Sequence, residues 1–186
     1  MTDDEICREL FGPGVNSETC VLTVLDLLMR AHSDATFWRI FNLGWSCCDN
    51  TFHHCGKLLP LLTARGTAAP FLEGRDKDFY EGLPDSVRIY RGCSVERVRG
   101  LSWTIDRAVA AAFARGHRRI NVPNPVVATA VIPREAIFTV ATDREEQEVV
   151  IDWRRLQQVK LADSIRCELL RSRANVPSED RDGPPP

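Results

Sequence analysis

The feature that most constrains this chain is a change of hydrophobic period near residue 86: apolar residues recur at helical spacing before it and alternate after it. Val21, Leu22, Val24, Leu25, Leu28 and Met29 follow the i, i+3, i+4, i+7 pattern of one helix face, with Asn16 or Ser17 as the cap. Ser33-Asp34 caps a second helix carrying Phe37, Trp38, Ile40, Phe41 and Trp45. A third helical segment covers about 51–62, weakened by Gly56 and Pro60, and 64–82 reads as a connection with one short helix. Beyond residue 86, Val87-Arg88-Ile89-Tyr90-Arg91-Gly92 alternates as a strand and Leu101-Ser102-Trp103-Thr104 gives a second, short one. An Ala-rich helix over 106–115 is ended by Gly116, and 117–125 form a loop. Residues 126–132, 137–140 and Glu148–Ile151 read as strands, while 156–170 is open between strand and helix. Helices first and strands later make the expected class α+β.

A chain of 186 residues fits a single domain, expected over 1–171, with a helical part at 1–85 and a mostly β part at 86–171. The remaining 172–186, closing on Pro184-Pro185-Pro186, read as a disordered tail. No apolar run approaches the roughly 20 residues of a membrane span. The acidic start, Met1-Thr2-Asp3-Asp4-Glu5, lacks the basic and apolar regions of a secretory signal, so a cytoplasmic location is expected. Seven cysteines, odd in number and irregular in spacing, then read as reduced thiols.

The formal charge of −2 is unevenly spread. Residues 1–87 carry 7 basic and 13 acidic side chains, net −6, and 120–186 carry 9 and 11, net −2. Residues 88–119 hold 8 arginines and 2 acids, net +6. Such a balance excludes a general polyanion coat and makes nucleic acid an unfavoured partner. The local excess fits one anionic ligand, or else a solvated Arg-rich face.

Three pieces of the second half carry chemistry together. Arg91 sits on the first strand, as a cation that meets a phosphate or carboxylate. Ser102 and Thr104 are two apart on the next strand and so present two hydroxyls to one side, with Trp103 to the other. Glu146 and Glu148 present two carboxylates at the start of a late strand, so their titrations are coupled. Taken singly, each has an ordinary reading as a surface cation, as β-propensity or as solvated acids beside Asp143, Arg144 and Glu145.

In that order, Arg91, Ser102-Trp103-Thr104 and Glu146-Gln147-Glu148 resemble the Arg–Ser–Glu class of the mono-ADP-ribosyltransferase superfamily, over about residues 87–152. The middle motif departs from the family's Ser-Thr-Ser-like pattern in Trp103 and Thr104. The resemblance implies a β-sandwich core of two small sheets that binds NAD, flanked by the N-terminal helices. It also implies transfer of ADP-ribose from NAD to an acceptor protein with release of nicotinamide. Glu148 would be the catalytic carboxylate that stabilises oxocarbenium character at the ribose. Ser102 would orient Glu148, Thr104 would support the strand and contact NAD, and Arg91 would bind the NAD phosphates or the adjoining ribose. Glu146 would align the acceptor, and a carboxylate there favours arginine. Arg115, Arg118 and Arg119 fall where the family has a loop over the nicotinamide and phosphates; they bind pyrophosphate, or they complement their own helix dipole. Short proteins of this kind occur in bacteria and phages as toxins and effectors, so such a role is expected by analogy. The chain lacks a Gly-x-Gly-x-x-Gly fingerprint, so NAD would not be held in the Rossmann manner.

Two other classes stand beside this one. In a NAD glycohydrolase water replaces the acceptor and the same Glu148 serves. In a non-catalytic module the helical half, with Trp38 and Trp45, recognises a partner. Cys47, Cys48, His53, His54 and Cys55 form a compact cluster whose readings are a reduced helix face, a zinc site or a Cys–His nucleophile. Tyr90, Phe113 and Cys93 are expected in the core.

Overall fold

The computed structural model describes residues 1–49, 51–116, 122–144 and 146–163. Arg118, Arg119 and the tail at 172–186 lie outside them.

The chain begins with a helix that its hydrophobic pattern did not announce, α1 (Asp3–Leu10). Thr2 caps it, and the Glu5 carboxylate reaches back to the Thr2 N–H at 2.7 Å, a capping box. The acidic start is thus a helix first turn, where carboxylates complement the dipole. The second helix, α2 (Cys20–Arg30), starts later than either expected cap. Asn16 Oδ1 instead accepts the N–H groups of Glu18 and Thr19, both at 3.0 Å, and forms a turn ahead of the helix. Ser33 caps α3 (Asp34–Trp45) as expected, accepting from Thr36 N–H at 3.2 Å. A 3₁₀ turn (Phe52–His54) leads into α4 (Cys55–Arg65), which contains Pro60 and stops at Gly66, φ +77°. The short helix of the connection is α5 (Gly74–Glu81).

The strands are β1 (Ser86–Ser94), β2 (Ser102–Thr104), β3 (Pro125–Pro133), β4 (Ile137–Ala141), β5 (Glu148–Ile151) and β6 (Gln157–Asp163), with α6 (Arg107–Ala114) between β2 and β3. The ambiguous C-terminal segment is therefore a strand as far as it is described. All pairings are antiparallel, in the order β4-β5-β2-β1-β3-β6. By hydrogen bonding this is one six-stranded sheet, where two small sheets were expected. Its halves are unequally joined. β1 runs beside β3 from Ser86↔Pro133 to Ser94↔Pro125, whereas β1 meets β2 at the single pair Tyr90↔Thr104. The sheet thus consists of two three-stranded halves that diverge after one rung.

One hydrophobic core runs from Ile6 through α2, α3 and α4 into the strands as far as Ile151. Trp38 and Trp45 belong to it, at 0% and 5% exposure, so neither offers a surface for partner recognition. A smaller cluster, Ala110, Ala114 and Val127, lies under α6. The alanines have a geometric reason. A Cβ on Gly92 would stand 1.8 Å from the Ala110 carbonyl oxygen, so α6 rests directly on the β1 backbone. Among the described residues no helix is long and apolar enough to cross a membrane.

Candidate active site

Where the sheet halves diverge there is a cavity of about 190 Å³. Each wall comes from a different part of the chain. β1 supplies Tyr90, Arg91 and Gly92; β2 supplies Ser102, Trp103 and Thr104; α6 supplies Val109, Ala110 and Phe113. The β4–β5 turn and the head of β5 add Arg144, Glu146 and Glu148. A further wall is Trp45, Ser46, Cys48, Asp49 and Thr51, from the end of α3 and the segment after it. Arg91, Ser102, Thr104, Glu146 and Glu148, far apart in sequence, are therefore brought together. Arg115 is not among them: it is the exposed C-cap of α6.

Glu148 opens β5 opposite Thr104, which places it beside Ser102 on the neighbouring strand. Its Oε1 accepts the Trp45 indole N–H at 2.8 Å, and the Ser102 side chain lies near enough to the same carboxylate to favour its ionised form. Burial pushes the Glu148 carboxyl above its ordinary range. The Trp45 hydrogen bond and the neighbouring Ser102 oppose that rise, the Glu146 charge adds to it, and Arg144 opposes it weakly. A carboxylate in this setting can stabilise a developing positive charge or take up a proton.

The two glutamates converge by a route other than strand alternation. Gln147 has φ +46°, so the backbone turns in the left-handed region between them, and β5 begins only at Glu148. The turn is pinned from both sides. Thr104 Oγ1 donates to the Glu146 carbonyl at 2.6 Å and accepts Asp106 N–H at 3.0 Å. Asp76 of α5 accepts the Thr142 N–H and hydroxyl at 2.9 and 2.7 Å. The Thr104 hydroxyl, on a residue 6% exposed, is thus engaged in shaping the turn.

Arg91 is likewise held by backbone. Its Nε donates to the Arg97 carbonyl at 3.0 Å, and its Nη1 donates to the Ser102 carbonyl. A Cβ on Gly100 would meet this guanidinium at 2.4 Å, so the loop before β2 closes tightly over it. Arg91 therefore ties β1 to β2 beyond their single rung, and the residue is also part of the cavity lining. Trp103 points away into the core, 2% exposed, with its indole N–H on the Gly100 carbonyl at 3.0 Å.

Tyr90 and Phe113, expected in the core, are half-buried and line the cavity. Cys93 is a core residue, 6% exposed, and burial pushes its thiol up. The Cys/His cluster is dispersed. Cys48 and Cys20 both donate to the Gly44 carbonyl, at 3.2 and 3.7 Å, and Cys55 donates to the Thr51 carbonyl at 3.6 Å. His53 Nε2 lies 3.4 Å from Arg97 Nη2. Burial raises the thiols of Cys20, Cys48 and Cys55, the opposite of what activates a nucleophile. Among the described residues no group of three or more His, Cys, Asp or Glu is placed to hold a metal.

The helical wall is what the sequence did not disclose. Trp45 falls four residues after Phe41, on the spacing of a core face, and nothing local distinguishes it from Trp38. Ser46, Asp49 and Thr51 carry no motif. Compared with protein-family models, curated proteins and solved structures, the chain matches none.

Proposed function

We propose that this chain is an NAD-dependent mono-ADP-ribosyltransferase, which breaks the bond between nicotinamide and ribose and transfers ADP-ribose to a protein acceptor, with arginine favoured. The observation that carries this reading is the meeting of Arg91, Ser102, Glu146 and Glu148 in one cavity, with Glu148 held by the Trp45 indole N–H. The β1–β2 junction at the single pair Tyr90↔Thr104 leaves Arg91 and Ser102 on adjoining strands, as the reading requires.

Each side chain has a task in that reaction. Loss of nicotinamide leaves cationic character at the ribose carbon, and the Glu148 carboxylate stabilises it while also accepting a ribose hydroxyl. Ser102 keeps that carboxylate oriented. Tyr90 and Phe113 offer aromatic faces for the nicotinamide ring, and Arg91 offers positive charge toward the pyrophosphate side. Glu146, two residues before Glu148, draws in the cationic acceptor. A cavity of about 190 Å³ is smaller than the roughly 300–1,000 Å³ that encloses a drug-sized ligand. It suits the nicotinamide–ribose end, with the rest of the dinucleotide outside.

The test is nicotinamide release from NAD by the purified protein. Glu148→Gln is expected to lower it by at least about 10²–10³-fold, and unchanged release would remove Glu148 from the assignment. Incubation with host lysate, read by mass spectrometry, is expected to show an ADP-ribose increment on arginine. Glu146→Gln is expected to abolish the increment while NAD cleavage survives. Cleavage by wild type with no increment on any protein would instead make water the acceptor.

A further inference from the structure

We propose that Trp45 is a positioning residue for this site: its indole N–H, 2.8 Å from Glu148 Oε1, fixes the orientation of the carboxylate from the helical half of the chain. The proposal takes from the reading above only that Glu148 acts on the substrate.

The geometry singles out this tryptophan. Its ring is stacked on Phe41, with centroids 4.9 Å apart and planes 20° apart, so the indole cannot swing to seek another acceptor. The helix that carries it is set firmly in place. A Cβ on the preceding residue, Gly44, would stand 2.5 Å from Val24 Cγ2 and 3.2 Å from Leu10 Cδ2, so α3 meets α1 and α2 there with no room to shift. A tryptophan placed only for packing has no need of a carboxylate. Trp38, two turns earlier on α3, buries its indole N–H with no partner among the described residues, and Trp103 uses a backbone carbonyl. Trp45 alone of the three is directed at an ionisable side chain. Burying a carboxylate is unfavourable unless donors meet it, and Trp45 reaches this one from α3, a different element from the β2 strand that carries the neighbouring Ser102.

The other charged groups at the cavity set what loss of this bond would do. Glu146 and Arg144 face Glu148 from the β4–β5 turn, Arg91 lies on β1, and Asp49 lies on the helical wall. The indole N–H favours the ionised carboxylate, as the Ser102 hydroxyl does, while burial and Glu146 oppose it. Removing the donor therefore moves the titration of Glu148 upward and frees its rotamer.

The experiment compares wild type with Trp45→Phe and with a variant carrying 3-benzothienylalanine at position 45. The latter keeps the indole shape and replaces N–H by sulfur. Expected for both are a fall in kcat for nicotinamide release of roughly 10- to 100-fold, a KM for NAD within about twofold, and an acid limb of the pH profile moved to higher pH. A benzothienylalanine variant with wild-type kcat and pH profile would make the role one of packing and overturn the proposal. A second readout needs no activity. The Glu148 carboxyl ¹³C signal, assigned by its loss in Glu148→Gln, is expected to titrate at higher pH in both variants. An unmoved titration overturns the proposal, even where NAD is not the substrate. No nicotinamide release from wild type together with a moved titration overturns the proposed reaction and keeps the Trp45 assignment.

Discussion

Glu148 carries its charge against its surroundings, and that has a measurable cost. Its carboxyl is raised above the ordinary value of 4.5, chiefly by burial. The folded chain thus keeps a proton at pH values where the unfolded chain has lost it. Stability falls as pH rises from 4.5 through the folded-state value. Glu148→Gln removes that fall and keeps an acceptor for Trp45. The variant is expected to melt above wild type near pH 8, with the gap closing toward about pH 4, as followed by circular dichroism. Asp152 runs the other way. Its carboxyl is held low by the Arg154 guanidinium, so its contribution is present at neutral pH and lost in acid. It is common to both proteins and cancels in the comparison. A variant that is more stable and inactive would show a residue kept for chemistry at the expense of the fold. The candidates of the strand half were legible because each rests on local pattern: strand register for Ser102 and Thr104, motif order for Arg91, Glu146 and Glu148. Arg115 misled because a charge count has no direction, and the C-cap of α6 turns it outward.

At the scale of elements, the contact between α6 and β1 decides whether the cavity has a back wall. Gly92 follows Arg91 directly and leaves no space for a side chain under Ala110 and Ala114. Gly92→Ala is expected to destabilise the protein by at least about 1–3 kcal/mol, measured by urea unfolding, and to reduce the proposed NAD cleavage in what remains folded. An unaffected midpoint would mean that α6 can lift away. Strands β1 to β5 and helices α2 to α6 were readable from period and punctuation, since Ser33, Gly66, Gly116 and the alternation in β1 act locally, whereas the segment of β6 was open between strand and helix. α1 was not, because eight residues hold too few apolar positions to show a period, and Ile6 and Leu10 alone are buried. The left-handed Gln147 was also invisible, as glutamine gives no warning of positive φ.

For the whole molecule, the continuous core predicts one cooperative transition. Fluorescence of Trp38 and Trp45 in the helices, of Trp103 in the sheet and of Trp153 after β5 should change together with far-UV circular dichroism during denaturation. Separate midpoints would show that the helical half melts on its own. The wall at 45–51 could not be foreseen, because pairing across the cavity is a product of tertiary packing. The Trp45–Glu148 bond joins residues 103 positions apart. At a synthesis rate of about 5–20 residues per second, the ribosome adds Glu148 roughly 5–20 seconds after Trp45. During that interval the helical half carries Phe41 and Trp45 without the strands of its core, and the site can assemble only after Glu148 has been added.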